Sequence, residues 1–271
     1  MSDRRSAWSA HEAWSRRYSR EEDSSMIPWL RRKPVGTRFL ILFPGRTGSS
    51  WLVDGLSRHP RVRAEGEILV GRAADAQRSE LERLYGGRPT RFAVGFKTKL
   101  KDVADLDALR SCIHERGLTV LRMRRRDLLR LAISRINARR LHAATGRWNR
   151  RSSDRPESGA DVAVDELVDA LVACRDDVAR LDDFIASAGV VPCEIEYADI
   201  LSQPAEVLAR VQDALGVEHR RLVSSVAKNT SQELSAAVGN IETLRRELAG
   251  GEWSSVFDVD PISERGSSNA D

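Results

Sequence analysis

Cysteine is scarce in this chain. Cys112, Cys174 and Cys193 are far apart, odd in number and without a CxxC spacing. Neither a disulfide framework nor a cysteine zinc site is indicated, and a reducing cytoplasm is the expected compartment. Long apolar runs are missing as well, so no segment reads as a membrane span, and the opening MSDRRSAWSAHEAWSRR lacks the apolar stretch and small-residue cleavage pattern of a secretory signal. The five histidines are scattered, and the acidic residues near the candidate loops do not cluster, so no metal ligand set is expected. Lysine is rare: nearly all of the 44 basic residues are arginine.

What is present describes a packed core under a solvated surface: 41% hydrophobic and 31% charged residues in 271. One α/β domain over 37–271 is expected. A polar, partly helical or mobile extension with Trp8, Trp14 and Trp29 precedes it over 1–36, and a flexible tail starts at about 258. The formal charge is +4 and the pI is near 9.2. Arginine's planar fork suits phosphate and sulfate oxygens, which points to an anionic ligand. A nucleic-acid-binding protein using the arginines of 122–140 is the weaker reading, because 40 acidic residues nearly offset the basic ones.

Short apolar runs at 38–43, 92–96, 118–121 and 191–195 predict buried strands. Between them, apolar residues spaced three and four apart predict helices near 72–86, 105–116, 127–142, 162–188 and 204–215, with another starting near Gly48. Strands alternating with helices predict a three-layer α/β fold, a central parallel sheet flanked by helices. The polar segment 146–159, broken by Pro and Gly, reads as a substrate lid or as a disordered loop.

The run Phe43-Pro44-Gly45-Arg46-Thr47-Gly48-Ser49-Ser50-Trp51-Leu52 follows the first strand. A loop that turns on glycine into a helix gathers backbone N–H groups on one anion, and the helix dipole adds positive potential. The nucleoside triphosphate version is GxxxxGK[ST]. Here two residues separate Gly45 from Gly48 and no lysine follows, which disfavours an ATP- or GTP-dependent P-loop kinase. Arg46 supplies a cation, and the hydroxyls of Thr47, Ser49 and Ser50 stand at the helix start, where they either meet oxyanions or only cap the helix.

Arg46-Thr47-Gly48-Ser49-Ser50-Trp51-Leu52 resembles the loop of sulfotransferases that use 3′-phosphoadenosine-5′-phosphosulfate (PAPS) and release 3′,5′-adenosine bisphosphate (PAP). That family also carries an arginine, an acidic or amide residue with a leucine-rich turn, and a serine eight positions after the arginine, for the 3′-phosphate. Arg126-Asp127-Leu128-Leu129 and Ser134 have this spacing. Segments 195–201, 215–217, 228–230 and 240–250 extend the likeness over roughly 37–257.

The resemblance implies a P-loop-like fold, a metal-independent transfer and an acceptor that is a small molecule or glycan with a free hydroxyl; a homo-oligomer is compatible with it. It casts Arg46 at the leaving group and Lys97, with Lys99 as competitor, at the active site. No histidine stands where the phenol and steroid branch has its base, and His59 reads as a helix-end residue. The carbohydrate branch uses a glutamate in a Gly-Glu-Pro-like turn. Gly66-Glu67-Ile68 matches with Ile68 in place of proline, which makes Glu67 the candidate base and Glu65 the reserve. A carboxylate is a weak base at neutral pH unless burial raises its pKa.

Overall fold

Phe39, Leu40, Ile41 and Leu42 have no solvent exposure at all. They form most of strand β1 (Thr37–Leu42), and a strand buried on both faces needs apolar side chains in both directions. Phe39 and Ile41 enter one core and Leu40 and Leu42 the other. In this computed structural model, residues 36–87, 92–148, 159–226 and 234–258 are described. The expected amino-terminal extension, most of the 146–159 segment, Lys228-Asn229-Thr230 and nearly all of the carboxy-terminal tail lie outside them.

The described chain continues through α1 (Ser49–Ser57), β2 (Val62–Glu65), α2 (Ala74–Tyr85), β3 (Ala93–Thr98), a 3-10 turn (Leu100–Asp102), α3 (Leu106–Glu115), β4 (Thr119–Arg124) and α4 (Leu128–Thr145). It ends with α5 (Val164–Ser187), β5 (Cys193–Glu196), α6 (Tyr197–Ser202), α7 (Pro204–Ala214), the short α8 (Leu234–Ala237), α9 (Ile241–Glu247) and a closing 3-10 turn (Ser254–Phe257). The five strands are parallel in the order β2-β3-β1-β4-β5. Leu52 and Leu56 of α1 and Val207, Leu208 and Val211 of α7 cover one face; Leu84 and Tyr85 of α2, Leu109 and Ile113 of α3 and Leu181, Phe184 and Ile185 of α5 cover the other. This is the three-layer α/β sandwich that the alternation of runs predicts.

Every predicted strand is present within three residues of its expected ends. The exception is β2, which the sequence does not announce. Val-Arg-Ala-Glu buries only Val62 fully and pairs only with β3, so it carries no continuous apolar run. The predicted helices are present as well, and α4 runs three residues past its expected end, to Thr145. Asp127 caps it by accepting the Arg130 N–H at 2.8 Å. Among the described residues no helix is long and apolar enough to cross a membrane.

Two consequences position a site. β1 lies between β3 and β4, so the chain leaves it toward one side of the sheet and later crosses to the other; ligands of open parallel sheets bind beyond the carboxyl ends of strands at such a switch. The segments after β1, β2, β3 and β4 all emerge at that edge.

Gly95 sets how closely β1 and β3 approach. A Cβ there would lie 2.2 Å from the Phe39 carbonyl oxygen and 2.5 Å from its ring. Gly95→Ala is therefore expected to destabilise the fold by about 3 kcal/mol, lowering Tm by roughly 6–12 °C in a thermal melt. A melt within a degree or two of the wild type would show that the strands can part without cost.

Candidate active site

The loop after β1 bends through left-handed backbone at Gly45 (φ 98°), Arg46 (φ 57°) and Gly48 (φ 83°). For Arg46, which has a Cβ, that conformation costs on the order of 1 kcal/mol and must be held by its surroundings. Its guanidinium does so: Nε donates to Ser134 Oγ at 3.1 Å and Nη1 to the Trp148 carbonyl at 3.3 Å. Arg135 of α4 donates to the Pro44 carbonyl and pairs with Asp177 of α5 at 2.7 Å, which fixes the loop from outside. Gly48 leaves no room for a side chain, since a Cβ would lie 3.0 Å from Ile200 Cδ1.

Left-handed backbone at Gly45, Arg46 and Gly48 ahead of α1 is the kind of turn that can gather N–H groups on one anion. Thr47 is fully buried, and its Oγ1 has no hydrogen-bond partner among the described residues. Burial pushes the Arg46 guanidinium pKa down; Tyr197 opposes that shift and Arg125 adds to it. Both are features that a bound anion would relieve.

The loop's second cation comes from another strand. Lys97 in β3, 7% exposed, projects from the same face as Ala93 and Gly95, toward α1. Its Nζ donates to Ser50 Oγ at 2.9 Å and to Ser49 Oγ at 3.3 Å and lies 3.3 Å from Glu67 Oε1. Lys99 Nζ hydrogen-bonds Glu67 Oε2 and pairs with Asp102 at 2.9 Å. The Phe43 ring lies beneath both ammonium groups, at 5.3 and 5.5 Å. The structure thus joins Ser49, Ser50, Lys97 and Glu67 in one chain of contacts. Lys97 and Lys99 both touch Glu67.

Burial alone would raise the Glu67 pKa, but the Lys99 hydrogen bond and the charges of Lys97 and Lys99 outweigh it. The carboxyl is held below its ordinary value, the reverse of what a base at neutral pH requires. Burial pushes the Lys97 ammonium down, with Glu67 opposing. Lys99 goes up: burial lowers it, but the hydrogen bonds it donates to Glu67 and Asp102 win.

Arg126 and Ser134, which the resemblance assigns together to the 3′-phosphate, have different partners. Arg126 has 80% of its side chain exposed and pairs with Glu196 at 3.2 Å, while the buried Ser134 takes Arg46. The inward arginine is Arg125, 7% exposed and 4.3 Å over the Tyr197 ring. Sequence spacing does not separate these adjacent arginines, which follow the end of β4 at Arg124. A cavity of about 440 Å³ opens there, lined by Pro44 and five arginines, Arg122, Arg124, Arg125, Arg126 and Arg175, against one acid, Asp182.

Arg122 and Arg135 are largely withdrawn from water and paired. Glu65 pairs with Arg83 at 2.9 Å and with Arg63. Trp51 is half-buried and packs on the core beside α1. His59 is fully buried, donating Nε2–H to the Glu218 carbonyl at 2.9 Å while Nδ1 accepts from the Arg61 N–H, which is a structural role at a helix end.

The Glu67 ion pairs carry a pH signature. A carboxyl whose folded pKa is depressed adds stability above its unfolded value, near 4.5, and loses it as pH falls through the lower folded value. Glu67→Gln is expected to be less stable than the wild type in urea titrations at pH 7, with the gap closing as the pH is lowered through that window. A gap constant with pH would place the loss elsewhere than in ionisation.

Residues 54–240 match the family model described as Stf0 sulphotransferase, a stretch that begins just beyond the phosphate loop. Nodulation protein H of Rhizobium tropici is 28% identical over 247 residues, covering 85% of this chain and 96% of that protein. Two solved structures are similar in part. A sulfotransferase from Alicyclobacillus acidocaldarius has a TM-score of 0.49 at 16% identity, covering 84% of this chain and 93% of its own. Mouse sulfotransferase SULT7A1 complexed with PAP has a TM-score of 0.41 at 12% identity, covering 75% and 64%. Because the family model spans well over half of the sequence, this chain belongs to the Stf0 sulphotransferase family and is a sulfotransferase.

Proposed function

We propose that this sulfotransferase takes its sulfuryl group from PAPS and passes it to a hydroxyl of a carbohydrate, glycolipid or glycosylated natural product, with Glu67 as the base. The contact chain from Ser49 and Ser50 through Lys97 to Glu67 carries the proposal. It links the turned loop to a carboxylate at the one edge of the sheet where ligands collect.

The residues suit the donor. The orphaned Thr47 hydroxyl, the turned loop and two partly desolvated cations, Arg46 and Lys97, would hold the phosphosulfate end. The arginine-lined cavity beside Pro44 would take the remaining phosphate, with Arg126 at its mouth. When bound, PAPS supplies an activated sulfur whose bond to the 5′-phosphate oxygen breaks as the acceptor oxygen attacks it. Glu67 takes the hydroxyl proton, and Arg46 and Lys97 stabilise negative charge on the departing oxygen.

A sugar acceptor is favoured over a phenol by two features. The family resemblance gives Glu67 the base role that belongs to the carbohydrate branch, while His59 is committed to the Glu218 carbonyl. The Trp148 ring, stacked on His142 at 4.1 Å and 54% exposed, offers a flat apolar face of the kind that sugar rings cover.

Glu67→Gln is expected to lower kcat for transfer of labelled sulfate from PAPS to a glycan acceptor by about 10² to 10⁴-fold, with PAP affinity unchanged by calorimetry. Wild-type turnover in this variant would remove Glu67 from the chemistry. Arg126→Ala is expected to weaken PAP binding by about tenfold; unchanged affinity would return the 3′-phosphate role to Arg125 or another arginine of the cavity.

A further inference from the structure

Both oxygens of the Glu67 carboxylate are occupied by lysine. Lys97 Nζ stands 3.3 Å from Oε1, and Lys99 Nζ hydrogen-bonds Oε2. Each oxygen keeps a lone pair, but a carboxylate held by two cations is a weaker proton acceptor than a free one. The two lysines differ in what else holds them. Lys97 is buried and tied to Ser49 and Ser50. Lys99 keeps a fifth of its side chain in solvent, and its other partner is a second carboxylate, Asp102 Oδ2 at 2.9 Å.

The backbones bearing these groups are fixed to one another. Gln77, buried in α2, donates Nε2–H to the Leu69 carbonyl at 2.8 Å, two residues beyond Glu67, and to the Asp102 carbonyl at 2.7 Å. Its Oε1 accepts the Ala104 N–H at 2.9 Å. One side chain therefore ties the turn that carries Glu67 to the turn that carries Asp102. Between two fixed carboxylates, the long lysine stem is the part free to move.

We propose that Lys99 is a positioning residue that governs when Glu67 accepts a proton: it bridges Oε2 and Asp102 in the resting enzyme, and releases Oε2 while staying on Asp102 when the acceptor hydroxyl arrives. The inference rests on the reading of Glu67 as the base. With Lys99 on Asp102 alone, the acceptor O–H bond breaks, its proton goes to Oε2 and its oxygen is left to attack sulfur. Other charges face this pair. Lys97 acts on Glu67 from β3 and itself feels Arg46, while Lys101, Asp177 and Arg180 line a small cleft shared with Lys99. The lowered Glu67 and raised Lys99 pKa values agree with a resting ion pair.

The test is the pH dependence of kcat/KM in four proteins: wild type, Lys99→Met, Asp102→Asn and the double variant. Lys99→Met is expected to move the acidic limb to higher pH, because Glu67 loses the cation that holds it ionised. Asp102→Asn is expected to move the limb to lower pH and reduce kcat, because Lys99 has lost its other partner. In the double variant Asp102→Asn should add nothing to Lys99→Met. An acidic limb unmoved by Lys99→Met overturns the inference, as does an Asp102→Asn effect that persists without Lys99.

Titration of the Glu67 carboxyl by ¹³C NMR, assigned by difference from Glu67→Gln, must show the same upward shift without turnover. Lys99→Gln replaces Lys99→Met if the latter fails to fold. An active Glu67→Gln would sink the base reading; an inactive one beside an unmoved Lys99→Met limb would sink this inference alone.

Discussion

An ammonium group nearly withdrawn from water persists only where oxygens surround it, since desolvating an ion costs several kcal/mol. Lys97 meets this condition with two hydroxyls from the start of α1 and a carboxylate from the turn after β2. These three elements are brought together only because β2, β3 and β1 run parallel and end at one edge. The sheet order is thus the condition for Lys97, and Lys97 is what makes one site of the phosphate loop and Glu67. Gly95, two residues earlier on the same face, lets β3 sit close enough to β1 for the lysine to reach the loop.

The same dependence explains what could be read from the chain and what could not. The buried strand before Pro44-Gly45 and the turned glycines of the loop are local signals, written in apolar runs and in residues that tolerate positive φ, and both are present where the sequence indicates. The loop lacks the lysine of a nucleoside triphosphate binder, but a lysine stands there in space, delivered from β3; the family resemblance points to Lys97, while the loop's own residues do not. The strand β2 was illegible because four residues at a sheet edge need bury only one apolar side chain. Glu67 was legible as a candidate by position. Its ionisation was not, because that depends on two lysines some thirty residues later. Arg126 is legible by its spacing from Ser134; that Arg125 lies over Tyr197 while Arg126 pairs with Glu196 depends on partners some seventy residues later.

Arginine does most of the remaining electrostatic work, and its partners separate two uses. Arg122 and Arg135 pair with Asp182, Glu194 and Asp177, and so tie the sheet and the loop to α5 and β5. Arg125 and Arg126 line the cavity, one over Tyr197 and one paired with Glu196, while Arg46 holds the strained loop. Planar guanidinium groups suit both tasks, because each offers several donors in fixed directions to carboxylates or to phosphate oxygens.

A lysine over two hydroxyls at a helix start is also what a nucleoside triphosphate would meet, so donor identity is the central claim. Thermal unfolding of the whole chain in matched concentrations of PAP, ATP with magnesium, or no ligand tests it before any acceptor is known. At about one hundred times its Kd, PAP should add roughly 2.7 kcal/mol to stability and raise Tm by several degrees, with ATP and magnesium leaving the melt unchanged. A larger rise with ATP and magnesium than with PAP would contradict the account.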